Sequence, residues 1–140
     1  MFTYLHTRSV MFLRLSLGLV FFWFGVLKLF NASPMLPILK DTFPGIGESQ
    51  LFIFLLAFGE MLIGLAFLTN RFVKIAAIIM MVTLFVLSVA MLFTQGFDPR
   101  FPVLSLVGEL VLKNVVLIAA GLVLIAEKTE TIEEKAPSKQ

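Results

Sequence analysis

Arg14, Lys28, Glu60, Glu109 and Lys113 are ionisable residues set in runs that are otherwise almost wholly apolar. Glu109 and Lys113 lie four residues apart, on one face of a helix, within the apolar run from Phe101 to Ala126. Ionised side chains at bilayer depth cost about 2.5–3.5 kcal/mol each on insertion scales, so they pair or face a protein interior. Two carboxylates and two ammoniums at one level would neutralise each other as structural ties, carry a proton, or give polar ends to a ligand cavity. Buried ion pairs are often no more stabilising than apolar packing. That weighs towards a functional cavity, with Lys28, Glu60, Glu109, Lys113 and Arg14 as the charge-cluster and ligand-binding candidates. A proton path needs more titratable steps than these.

Other chemistries are closed to the chain. It has no cysteine, which removes thiol–disulfide exchange and Fe–S ligation, and its one histidine, His6, excludes a bis-histidine haem. No metal site and no self-sufficient catalytic set is expected. Any electron carrier would come from a partner.

The elements that must position these charges are membrane helices. The 140 residues are 59% hydrophobic and 14% charged, where a soluble domain is about half apolar and a quarter charged. Mean hydropathy is +1.02. A net charge of +2 is too mild to suggest nucleic acid. Four apolar stretches, at about residues 9–30, 51–69, 72–94 and 102–126, each approach the roughly 20 residues a bilayer requires. The fold expected is all-α: a four-transmembrane-helix antiparallel bundle with short turns and one longer extracytoplasmic loop. The basic flank and apolar run at the N-terminus resemble a signal sequence. Arg14, Lys28 and the length of the run argue for a retained helix. Residues 127–140 read as a charged cytoplasmic tail that frays.

In span one, Arg14, Gly18, Phe21, Gly25 and Lys28 are spaced four, three, four and three apart, which puts them on one stripe. Glycines there allow close helix approach. Both charges lie near span ends, so each either turns inward or snorkels to the headgroups. The Phe21-Phe22-Trp23-Phe24 cluster reads as packing and interface anchoring. Residues 31–50 are proline- and glycine-rich, with an apolar middle that either lies in the interface or folds back over the bundle mouth. Asn31-Ala32-Ser33 matches a glycosylation acceptor. Thr69-Asn70-Arg71 makes spans two and three antiparallel neighbours, and Gln95 to Pro102 reads as a compact turn. In span three, Ala76, Met80, Thr83, Leu87, Ala90 and Thr94 form the expected packing face.

Seven basic residues (Arg8, Arg14, Arg71, Lys74, Lys128, Lys135, Lys139) fall on the side of the termini, against Lys28, Lys40 and Arg100 opposite. By the positive-inside rule both termini are cytoplasmic. Glu60 should lie about 13–14 Å deep, Lys113 about 15 Å and Glu109 about 9 Å, at 1.5 Å per residue. Lys28 would reach inward to meet them, and Arg14 would stand nearer the cytoplasmic end. Gly59-Glu60 and Gly108-Glu109, each followed by three apolar residues, suggest a two-hairpin repeat.

The run Arg14-Leu15-Ser16-Leu17-Gly18-Leu19-Val20-Phe21 through Phe24-Gly25-Val26-Leu27-Lys28-Leu29 resembles the first-helix signature of the DoxX-like membrane proteins. Gly59-Glu60 with Gly64-Leu65 resembles their second helix, and Lys113-Asn114 to Gly121-Leu122 their last. The resemblance, over about residues 8–126, implies a four-helix membrane bundle in the bacterial inner membrane. It also implies an accessory role in quinone-linked oxidoreductase complexes, with a quinone or lipid as ligand and other membrane subunits, or copies of the chain, as partners. The alternative is a non-enzymatic chaperone or scaffold that recognises client transmembrane helices. A small transporter ranks third.

Overall fold

The computed structural model of the chain describes residues 2–95 and 106–135, with side chains over 8–94 and 108–129. The described residues form five helices: α1 (Phe2–Leu29), α2 (Leu36–Thr42), α3 (Gln50–Leu68), α4 (Val73–Gln95) and α5 (Leu106–Lys135). Four of them contain spans long and apolar enough to cross a membrane: Arg8–Leu29, Gln50–Leu68, Val73–Thr94 and Gly108–Thr129. At 1.5 Å per residue each is about 28–33 Å long, matching a hydrocarbon core of about 30 Å. The all-α, four-span architecture expected from the sequence is the one observed.

The spans form a closed ring in the order α1, α3, α4, α5. The heaviest packing is α1 on α3 and α4 on α5; α3–α4 and α1–α5 are lighter seams. Each neighbouring pair is antiparallel, because each span reverses the direction of the one before it. The core between them holds Leu17, Phe21, Phe67, Ala77, Met80 and Leu124. Large apolar side chains such as Leu19, Trp23, Phe54, Phe85 and Val116 point outward and are exposed. That outer surface suits acyl chains rather than water.

Two asparagines stop the helices. Asn31 (φ 53°) and Asn70 (φ 58°) occupy the left-handed region that asparagine tolerates. Their amides donate to Lys28 and Phe67 carbonyls, and the next residues, Ala32 and Arg71, donate to Leu27 and Ala66 carbonyls. Each is thus the reversal residue of a Schellman cap.

The first span, Arg8–Leu29, falls where the sequence placed it, and helix α1 extends ahead of it to Phe2. The structure departs from the sequence expectations in three places. The 31–50 connection contains α2, which has Pro37 in its first turn and buries Leu36, Leu39 and Thr42. Proline is well suited there, since the first helical amides lack partners anyway. Leu36 and Leu39 join Ile53 and Leu87, so this connection folds back onto the bundle. In α4, the inward face is Val73, Ala76, Ala77, Met80, Leu84, Leu87, Ser88 and Met91, while Thr94 is exposed. Of the predicted face, Ala76, Met80 and Leu87 are on it, while Thr83 and Ala90 are half-buried beside it. Finally, α5 continues to Lys135 where a frayed tail was expected. Glu127–Lys135 is rich in glutamate and lysine, which favour helix without needing an apolar face. The predicted compact turn from Gln95 to Pro102 lies, beyond Gln95, outside the described residues.

Candidate functional site

Helices α1 and α3 meet almost backbone to backbone. A Cβ placed on Gly64 would stand 2.5 Å from the Phe22 amide nitrogen, and one on Gly25 would stand 2.6 Å from the Ala57 carbonyl oxygen. Only hydrogen fits at these positions. The predicted stripe of span one faces this seam: Gly18, Phe21, Gly25 and Lys28 are buried, and Arg14 is half-buried.

The close crossing brings Lys28 onto Glu60. The Lys28 Nζ donates to both carboxylate oxygens, at 2.8 Å to Oε1 and 2.6 Å to Oε2. Lys28 is 4% exposed and Glu60 8%. The lysine has therefore turned inward rather than snorkelling, and its position in the last turn of α1 also places its charge against the negative end of that helix.

Beside the pair lies a cavity of about 190 Å³. Lys28 and Glu60 form one part of its wall and Lys113 and Asn114 another, with apolar surface from Phe21, Leu84 and others between them. Ser33, Pro34 and Met35, which lead into α2, line it as well. Ser33 Oγ accepts the Met35 amide at 3.3 Å, which fixes the entry into α2. The Lys113 ammonium sits 5.0 Å from the centre of the Phe24 ring, a cation–π distance. It is close enough to feel the charges of Glu60 and Lys28. Among the described residues it has no carboxylate in ion-pair contact. Its side chain is exposed, so it stands at the edge of the cavity where α5 faces outward.

Of the predicted cluster, then, Lys28, Glu60 and Lys113 share one cavity, and Glu109 and Arg14 do not. Glu109 is exposed and does not line the cavity. The cavity-facing residues of α5 are Leu110, Lys113, Asn114 and Leu117. At about 100° per residue, Glu109 is turned roughly a quarter-circle from the middle of that face. It lies instead in the first turn of α5, where a carboxylate complements the helix dipole. Arg14 is 14 residues before Lys28, or about 21 Å along α1, and lines a different cavity. The glycines of the Gly-Glu echo differ in burial as well, Gly59 being half-buried and Gly108 buried.

A model of the DoxX family matches residues 9–94. The chain belongs to the DoxX family. No curated protein and no solved structure matches it. The DoxX match takes in the α1–α3 seam with Lys28 and Glu60 and ends before α5. Lys113 and Asn114 thus lie on the part of this DoxX protein that the family model does not span.

Asn114 was missed as a site residue, and so was Ser88. Asn114 Nδ2 donates to Ser88 Oγ at 2.9 Å, and Ser88 Oγ–H donates to the Leu84 carbonyl at 2.7 Å. Both side chains are buried. Interhelical amide and hydroxyl contacts of this kind tie membrane helices together. In the DoxX chain they fasten α4 to α5 on the wall of the same cavity. The signal available was that each is an isolated polar residue in an apolar run; their pairing across 26 positions was not readable.

Proposed function

We propose that this protein is an accessory membrane subunit of a quinone-linked redox complex, and that its intramembrane cavity receives a quinone head group. The observation that carries this reading is an apolar cavity of about 190 Å³ edged by the Lys113 ammonium, which has no carboxylate of its own among the described residues. Ligand sites of this type are mostly apolar with a few placed polar groups that fix orientation. A quinone ring would lie against Phe21 and Leu84, with a carbonyl oxygen accepting from Lys113 Nζ. The second Nδ2 hydrogen of Asn114 offers another donor on the same wall. Lys28 and Glu60 neutralise each other and hold the wall in place. The quinone would supply the electron-accepting chemistry, and a partner subunit the electrons, since the chain has no cysteine and a single histidine. This reading sets the protein in a bacterial inner membrane, and the asymmetry of basic residues supports both termini being cytoplasmic.

Isothermal titration of the purified protein with a short-tailed ubiquinone tests the reading. Wild type is expected to bind. Lys113→Met should weaken binding about tenfold, the worth of one charge-assisted hydrogen bond, with the bundle still folded. Absence of binding, together with absence of partner-dependent quinone reduction, overturns it. If Glu60→Gln instead abolishes recovery of a membrane partner without affecting quinone, the scaffold reading takes its place.

A further inference from the structure

The opposite end of the bundle holds a second cavity, of about 250 Å³, where the start of α1, the α3–α4 turn and the far end of α5 come together. Arg14, Lys128, Glu127 and Asn70 supply its polar wall, and Val10 and Leu124 are among its apolar residues. Arg14 Nε is buried there with no hydrogen-bond partner. Among the described residues, no carboxylate forms an ion pair with this guanidinium. Glu127 is on the wall but is engaged in an interaction of its own. Among the described wall residues, two cations stand against one carboxylate, a surplus of one positive charge. Arg14 is half-buried, and a guanidinium whose buried Nε lacks a partner gains from an anion that comes to it.

We infer that this cavity is a binding site for the phosphodiester headgroup of an anionic phospholipid, with Arg14 and Lys128 as its ligands. Three features fit that class. The surplus of one charge matches the single charge of a phosphodiester. Lys128 is the penultimate residue of the span Gly108–Thr129, and Arg14 is six residues inside the span that starts at Arg8. That is about 9 Å of depth, so the long arginine side chain works near headgroup level. The apolar wall residues take the glycerol end of a lipid, which free phosphate lacks. Arginine suits the task because its fork presents two parallel donors to a phosphate, with Nε one of the atoms that form it. The site is independent of the quinone proposal, being some 21 Å along α1 from Lys28.

Native mass spectrometry of the full chain in mild detergent, offered dioleoylphosphatidylglycerol and dioleoylphosphatidylcholine at equal concentration, is the test. One phosphatidylglycerol should be retained in preference to phosphatidylcholine. Arg14→Gln and Lys128→Gln should each lower its retention about tenfold, and Arg14→Lys should fall between wild type and Arg14→Gln. Lys40→Gln, an exposed charge at the other end, should change nothing. If Arg14→Gln does not fold, Lys128→Gln decides: reduced retention upholds the site and unchanged retention overturns it. Equal retention of the two lipids also overturns it. So does inorganic phosphate that saturates the lipid-free protein and blocks phosphatidylglycerol, because the occupant is then free phosphate.

Discussion

The two heavily packed seams of the bundle are fastened in different ways. Between α1 and α3 the contact is backbone on backbone, with glycines at the crossing and a buried ion pair near one end. Between α4 and α5 the glycine at the contact, Gly121, faces the ends of Met80 and Met81, and the polar fastening is the neutral Asn114–Ser88 hydrogen bond. Methionine side chains adapt; backbone atoms do not. The first seam therefore fixes the geometry of Lys28 and Glu60 closely, while the second leaves room for adjustment around Lys113 and Asn114. A rigid wall and an adaptable wall face each other across the same cavity.

Substitutions should separate the seams. The largest effect is expected from Glu60→Leu, which strands Lys28 in the interior and should cost about 3–5 kcal/mol, measured as the free energy of unfolding in detergent titrations. Combining it with Lys28→Met should restore most of that loss, because an apolar pair of similar volume replaces buried charges without a stranded partner. If the double variant is as unstable as the single one, the pair does more than compensate its own burial. Next comes a glycine contrast. Gly64→Ala should destabilise by about 1–3 kcal/mol, since its Cβ meets the Phe22 backbone. Gly121→Ala should cost clearly less, since the methionine ends can move; equal losses would remove the distinction between the seams. The smallest effect belongs to Asn114→Ala, expected near 0.6–1 kcal/mol as for other interhelical hydrogen bonds in membranes, because Ser88 keeps its bond to Leu84. A loss of several kcal/mol there would mean that the α4–α5 seam is as unyielding as its counterpart.

Patterns internal to one helix were legible. The stripe from Arg14 to Lys28 follows the helical period, and its glycines and lysine do face inward. Glu60 and Lys113 could be placed at a common level by counting residues from the outer ends of their spans, and they line one cavity; the direct pairing of Lys28 with Glu60 was not readable that way. Relations between helices were less accessible. Gly59-Glu60 and Gly108-Glu109 look alike, yet Glu60 is buried against α1 and Glu109 is exposed, because the same five-residue pattern meets neighbours at a different rotation. Ser88 and Asn114 find each other only through the packing of α4 on α5. Helix α2 was obscured by the prolines around it, although Pro37 in its first turn is compatible with helix. The continuation of α5 was obscured because a charged helix outside the bilayer needs no apolar periodicity to persist.

Lys113 stands exposed at the rim of a cavity that Ser33, Pro34 and Met35 also line, and α1 and α5 on either side of that rim share one of the lighter seams. An opening at that rim would face the lipid tails, as the exposed Lys113 does. A guest dissolved in the bilayer and entering there would arrive without shedding a hydration shell.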